Sequence, residues 1–238
     1  MKLLDFRNVS KKYRNRTAVD NISFSVEQGE VVALLGLNGA GKSTCFELAA
    51  TLLLPDSGKI YFKEEDITEK PAVIREHLGY VPQEILLFEE LSGKQNLEFW
   101  GKAYNLYGNE LEEAVQRVIE IIGMKERIHE KVANYSIGMK RRLNIGVAIL
   151  HLPTLLILDE ADVGMDILAV ESIMGIIKTL NQKYGMTILY ASHNMEETEQ
   201  FCDRFLILKN GRLLKSQKKE ELPKGKSLKE WFTEEIKE

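Results

Sequence analysis

Gly36-Leu37-Asn38-Gly39-Ala40-Gly41-Lys42-Ser43-Thr44 reads G-x-x-x-x-G-K-S-T, a glycine loop closed by a lysine and two hydroxyls. Directly before it, Val31-Val32-Ala33-Leu34-Leu35 is an apolar, β-branched run suited to a buried strand. Directly after it, residues 45–54 can run as a helix until Pro55. Strand, glycine loop and helix form the setting in which such a loop cradles phosphate. The glycines let successive N–H groups curl inward, and the helix start adds unpaired amides and its dipole. Lys42 brings a point charge to the β- and γ-phosphates, and Ser43 a hydroxyl for Mg²⁺. The whole loop, Gly36, Leu37, Asn38, Gly39, Ala40, Gly41, Lys42, Ser43 and Thr44, is therefore expected to hold a nucleoside triphosphate. A turn that binds nothing would need neither the lysine nor the hydroxyls.

With 238 residues, 44% of them hydrophobic, the chain has material for one large α/β domain or a core with an insertion. A net charge of −4 gives no global positive field to attract nucleic acid. No apolar run approaches the ~20 residues of a bilayer-spanning helix. The N-terminus Met1-Lys2-Leu3-Leu4-Asp5-Phe6-Arg7 breaks into charge too early for a secretory signal. Cys45 and Cys202 make no disulfide framework, and Cys45 reads as a packed small residue rather than a nucleophile. A cytoplasmic protein is expected.

Strands are expected at residues 3–9 and 22–26, with the polar loop Lys11-Lys12-Tyr13-Arg14-Asn15-Arg16 between them. Further strands are expected at 59–62, 78–81, 155–158, 187–190 and 205–208. Helical periodicity takes over from Glu84 to about Tyr135, as in Leu111, Ala114, Val115, Val118, Ile121 and Ile122. Helices are also expected near 139–151, 166–183 and 194–202. The fold class is α/β: a phosphate-loop nucleotide-hydrolase core with a mainly parallel sheet, an N-terminal antiparallel β-subdomain and an inserted helical subdomain. The division expected is 1–83 with 153–214 as the nucleotide-binding core, 84–152 as the helical subdomain, and 215–238 as a charged, helical tail.

Leu155-Leu156-Ile157-Leu158-Asp159-Glu160 is a buried strand ending in two carboxylates. If that strand adjoins the phosphate loop, Asp159 suits the Mg²⁺ shell, and Glu160, one residue on, suits a general base for the attacking water.

These residues together resemble the ATP-binding-cassette (ABC) ATPases, over nearly the whole chain from Tyr13 to about Arg212. The discriminating stretch is Tyr135-Ser136-Ile137-Gly138-Met139-Lys140-Arg141-Arg142, which is similar to the family's Leu-Ser-Gly-Gly-Gln signature at a helix start. The resemblance implies that Ser136 and the Gly138 amide cap the γ-phosphate held by a second subunit's loop. It further implies that Gln83 reaches Mg²⁺ and the water, that His193 bonds the γ-phosphate, and that Tyr13 stacks on adenine. Asp166 is then the aspartate facing the partner. Ile137 departs from the usual glycine and Met139 from the usual glutamine; the Ser-x-Gly-Met-Lys form is similar to type-two exporters. Ala161-Asp162 replaces the usual proline-threonine, which adds a negative charge near the γ-phosphate.

The resemblance implies ATP and Mg²⁺ as cofactors and catalysis by Lys42, Gln83, Glu160 and His193, with Ser43, Gln83 and Asp159 at the metal. It implies a second copy or a paralogous ATPase as one partner, an integral membrane permease as another, no nucleic acid, and a place on the cytoplasmic face of the membrane. An importer ATPase shares most of these motifs. A soluble ABC protein of translation or DNA maintenance would bring a second cassette or basic surfaces. A small-molecule kinase would leave the signature and His193 unexplained.

Overall fold

Each strand of a sheet covered on both sides sends alternate side chains into two different layers. In β3 (Val31–Gly36), Val31, Ala33 and Leu35 join one apolar cluster, while Val32 and Leu34 join the other. That two-sided burial is why the strand reads as a continuous apolar run rather than an alternating one. The computed structural model describes residues 1–14, 16–160, 164–192 and 194–237.

Before β3 come β1 (Lys2–Tyr13) and β2 (Arg16–Glu27), both longer than the sequence suggests. After it come α1 (Lys42–Ala49), β4 (Ser57–Phe62), β5 (Glu65–Asp66), α2 (Ala72–Arg75) and β6 (Leu78–Val81). The helical stretch holds α3 (Gly93–Ala103), α4 (Gly108–Ile121) and α5 (Ile137–Ala148). The chain then alternates through β7 (Leu155–Asp159), α6 (Ile167–Tyr184), β8 (Thr187–Ala191), α7 (Met195–Phe201) and β9 (Arg204–Lys209). It closes with β10 (Arg212–Lys218) and α8 (Leu228–Lys237).

Two sheets result. The antiparallel sheet has the order β2-β1-β4-β5. The larger one runs β10-β9-β3-β8-β7-β6, parallel except for β10. Helix α1 lies between the sheets, its Cys45, Phe46, Leu48 and Ala49 in the cluster shared with β1, β2 and β4. The opposite face carries the helical stretch, α6 and α8.

Three features depart from the sequence reading. First, α1 stops at Ala49 rather than running to residue 54. Thr51 takes a left-handed φ of 56°, and the Leu52 N–H turns back 2.9 Å to the Glu47 carbonyl, which closes the helix end. Second, β7 does not adjoin β3, because β8 stands between them. Third, β10 runs through residues 214 and 215, and Leu228, Trp231 and Phe232 of α8 are buried in the main cluster. The charged tail is thus joined to the core by a strand and a packed helix.

The helical stretch begins where local chemistry dictates. Ser92 accepts from the Gln95 N–H at 3.2 Å, and the Gln95 side chain accepts from the Ser92 N–H at 2.9 Å, a reciprocal cap on α3. Four residues earlier, Phe88 is held by Asn96, which is fully buried. The Asn96 side chain accepts from the Phe88 N–H at 2.9 Å and donates to the Phe88 and Ser92 carbonyls, each at 3.0 Å.

Candidate functional site

The carboxyl ends of the parallel strands feed one cleft of about 520 Å³. Asn38, Gly39, Gly41, Lys42, Ser43 and Thr44 of the loop line it together with Gln83, Glu160, Tyr13, Arg16 and Ala18. Gly36, Leu37 and Ala40 shape the loop without lining the cleft. A Cβ on Gly36 would sit 2.6 Å from the Leu208 carbonyl oxygen and 2.9 Å from the Ala40 Cβ, so only glycine allows that return. Gly41 has φ 109° and would meet the Ala18 carbonyl at 2.4 Å, so it too must be glycine.

Lys42 is buried beneath the loop. Its Nζ donates to the Gly36 carbonyl at 2.9 Å and lies 3.4 Å from Glu160 Oε1. Glu160, just past β7, has a left-handed φ of 48°, and its N–H donates to the Ala191 carbonyl at 3.0 Å. That backbone carries its carboxylate across the end of β8 to the lysine, so the two meet although β7 and β3 are not neighbours.

Asp159 is buried, and its Oδ1 has no hydrogen-bond partner among the described residues. Burial pushes its carboxyl above the ordinary aspartate value; the Ser43 hydroxyl and the Lys42 charge oppose this, and the charges of Glu160 and Glu47 add to it. A desolvated carboxylate with an orphaned oxygen beside a serine hydroxyl is a donor set that suits a hard, oxygen-liganded cation. The residues present therefore fit Mg²⁺. Cys45 lies against the loop, but burial pushes its thiol up to about 12, which leaves it protonated and packed, as its sequence neighbours indicate.

Ser136, Gly138 and Asp166 do not line the cleft. Ser136 caps α5, its Oγ accepting from the Met139 N–H at 3.3 Å, and Asp166 caps α6, accepting from Ala169 N–H at 2.9 Å. Gly138 lets α5 approach α6, since a Cβ there would meet the Ala169 Cβ at 2.8 Å. Ser136, Ile137 and Asp166 are exposed. His193, Ala161 and Asp162 lie outside the described residues.

The sequence reading missed Arg16 as a residue of the cleft. Its guanidinium donates to the Gly39 carbonyl at 2.8 Å. The signal available was its place in a basic run three residues beyond Tyr13.

A phosphate-cradling loop at the head of a parallel sheet, facing a strand that ends in two acids, defines a nucleoside-triphosphate hydrolase. The chain belongs to the ABC transporter family, whose pattern matches residues 19–163, and is an ATP-binding, ATP-hydrolysing subunit of that family. It is 43% identical over 212 residues to the linearmycin resistance ATP-binding protein LnrL of Bacillus subtilis, covering 89% of this chain and 68% of that protein. It is 37% identical over 209 residues to the Nod factor export ATP-binding protein I of Sinorhizobium fredii, covering 88% of this chain and 61% of that one. The solved structure of an ATP-binding subunit of an ABC transporter superposes with a TM-score of 0.86 at 32% identity, covering 98% of this chain and 99% of the other.

Proposed function

We propose that this chain drives export across a membrane as one of two ATPase subunits paired head to tail beneath an integral membrane permease. One observation carries the pairing. The cleft gathers Tyr13, the phosphate loop, Gln83 and Glu160, whereas Ser136, Gly138 and Asp166 stand outside it. Each chain thus offers an open cleft and, separately, the N-terminal edge of a 12-residue helix, with Ser136 and Ile137 exposed. Such an edge suits an anion. Two copies related by a two-fold axis bring each edge over the other's cleft, so ATP binds the two together and its hydrolysis releases them.

Within the cleft, Tyr13 stacks on the base. The loop amides and α1 hold the phosphates. The phosphates draw Lys42 away from the Gly36 carbonyl and from Glu160, which leaves that carboxylate to accept the proton of the attacking water. Ser43, Asp159 and Gln83 would hold Mg²⁺, which would neutralise developing phosphate charge. His193 takes the hydrogen bond to the γ-phosphate by its position in the motif order.

Export is supported by the Ser-x-Gly-Met-Lys form of residues 136–140 and by the names of the two relatives, one a resistance protein and one an export protein. Residues 84–152 act as the arm that meets the permease, with residues 1–83 and 153–214 as the nucleotide-binding core and 215–238 as its C-terminal extension. Phe88, Phe99 and Trp100 pack edge-to-face and stacked on one another, with Phe88 and Phe99 and the nearby Leu86 about half exposed. An aromatic platform of this kind suits a helix presented by the permease. Among the described residues no helix is long and apolar enough to cross a membrane.

The test is recovery of the tagged Glu160→Gln chain from its native membranes in the presence of ATP. An integral membrane protein in near-equal amount supports the reading. Recovery of ribosomes, of nucleic acid, or of the chain alone overturns it. Wild-type turnover unchanged by Glu160→Gln removes the general-base assignment.

A further inference from the structure

We infer that Arg141 is a positioning residue that ties the signature edge of α5 to the backbone of Gln83, so that the two move as one unit. The inference rests on the reading that Gln83 reaches the metal and the water.

Gln83 is exposed and lies beyond the end of β6, whose last ladder pair is Val81 with Leu158. Pro82 has no N–H, so the strand cannot continue its ladder through that residue. What fixes this stretch comes from α5. The Arg141 guanidinium donates from Nη1 to the Pro82 carbonyl and from Nη2 to the Gln83 carbonyl, each at 2.7 Å. Arg141 is 3% exposed, so the guanidinium itself is withdrawn from water, and a charged donor binds a carbonyl more firmly than a neutral one does. Its planar fork spans two successive carbonyls without further loss of freedom, which a lysine ammonium cannot do. A second tie runs alongside: Lys140, the preceding residue, pairs with Glu89 just past the same segment.

Arg141 lies about one helical turn past Ser136, Ile137 and Gly138, the edge that in the proposed pairing faces the partner's nucleotide. A shift of that edge on receiving a phosphate therefore moves two carbonyls on the strand-to-loop junction, and Gln83 with them. The chain has a rigid connection between the edge that senses one nucleotide and the glutamine that serves the other. Arg141 does not line the nucleotide cleft.

The experiment compares ATP turnover and fluorescent-ATP affinity for the full chain and for Gln83→Ala, Arg141→Ala, Arg141→Lys and the double variant Gln83→Ala/Arg141→Ala. Arg141→Ala should lower kcat at least about tenfold with nucleotide affinity within about twofold of wild type, since misplacing a catalytic group by about 1 Å has effects of that size or larger. Arg141→Lys should fall between the two. In the Gln83→Ala background, Arg141→Ala should add less than about twofold, because residues acting through one another are not additive. The same loss in both backgrounds, or wild-type rates for both Arg141 variants, overturns the inference while Gln83 keeps its role. A wild-type rate for Gln83→Ala overturns both. If Arg141→Ala does not fold, the same comparison is made with Arg141→Lys, which retains the charge.

Discussion

Asn96 lies outside the cleft, yet it holds the segment that follows Gln83, and the effect of removing it can be worked out bond by bond. Its side chain makes three hydrogen bonds from a fully buried position. The Ser92 carbonyl also accepts from the Asn96 N–H at 3.0 Å, and the Phe88 carbonyl from the Leu91 N–H at 3.2 Å, so both keep a partner in Asn96→Ala. Only the Phe88 N–H is orphaned, at about 1–3 kcal/mol, and the two lost carbonyl bonds add about 0.5–1 kcal/mol each. The expected loss is about 3 kcal/mol, or roughly 6–12 °C in Tm for a chain of this size. Thermal and urea unfolding of wild type, Asn96→Ala and Asn96→Leu measure it. Leucine fills the volume without restoring a bond, so it should be no better than alanine by more than about 1 kcal/mol. ATP affinity should stay unchanged, and permease-coupled turnover should fall as the Phe88 platform loosens. An alanine variant within about 0.5 kcal/mol of wild type, or full recovery with leucine, refutes the polar clamp.

Three other outcomes are expected. Thr51 holds a left-handed φ with its hydroxyl buried and unbonded, so Thr51→Gly should raise Tm by about 2 °C, the left-handed penalty of roughly 1–2 kcal/mol being partly offset by glycine's unfolded-state entropy; a lower Tm contradicts this. Burial raises the Asp159 pKa in the folded chain, so the ionised form destabilises the fold at neutral pH and the effect vanishes as pH falls to the ordinary value near about 3.9. Asp159→Asn should therefore abolish turnover yet melt higher than wild type at pH 7–8, with the gap closing on acidification; a gap that is constant with pH contradicts the assignment. Both of the chain's two cysteines are buried with raised pKa values, so a thiol reagent at pH 8 should modify neither in the native state and both in denaturant.

What could be read from the sequence follows from how local each cause is. The loop of residues 36–44 declares itself because its glycines, lysine and hydroxyls act within one turn of chain, with a strand and a helix on either side. The strand order does not, so Glu160 was expected from a neighbour of β3 and instead reaches Lys42 from beyond β8. The end of α1 was missed because Thr51 carries no stop signal, although its backbone takes the glycine conformation. Arg141 read only as part of the signature because its partner lies 58 residues away. By the resemblance Ser136 reads as phosphate-facing and Asp166 as partner-facing; in the single chain both serve as helix caps, and the proposed second roles need another copy.

That second copy is the central claim, and sedimentation of the Glu160→Gln chain with and without ATP tests it most directly. The account predicts a monomer without nucleotide and a mass that doubles with ATP. Ile137→Glu in the same background, an exposed change at the signature edge, should abolish the doubling while ATP binding persists. ATP that binds without changing the mass, or a dimer indifferent to Ile137→Glu, would contradict the shared site.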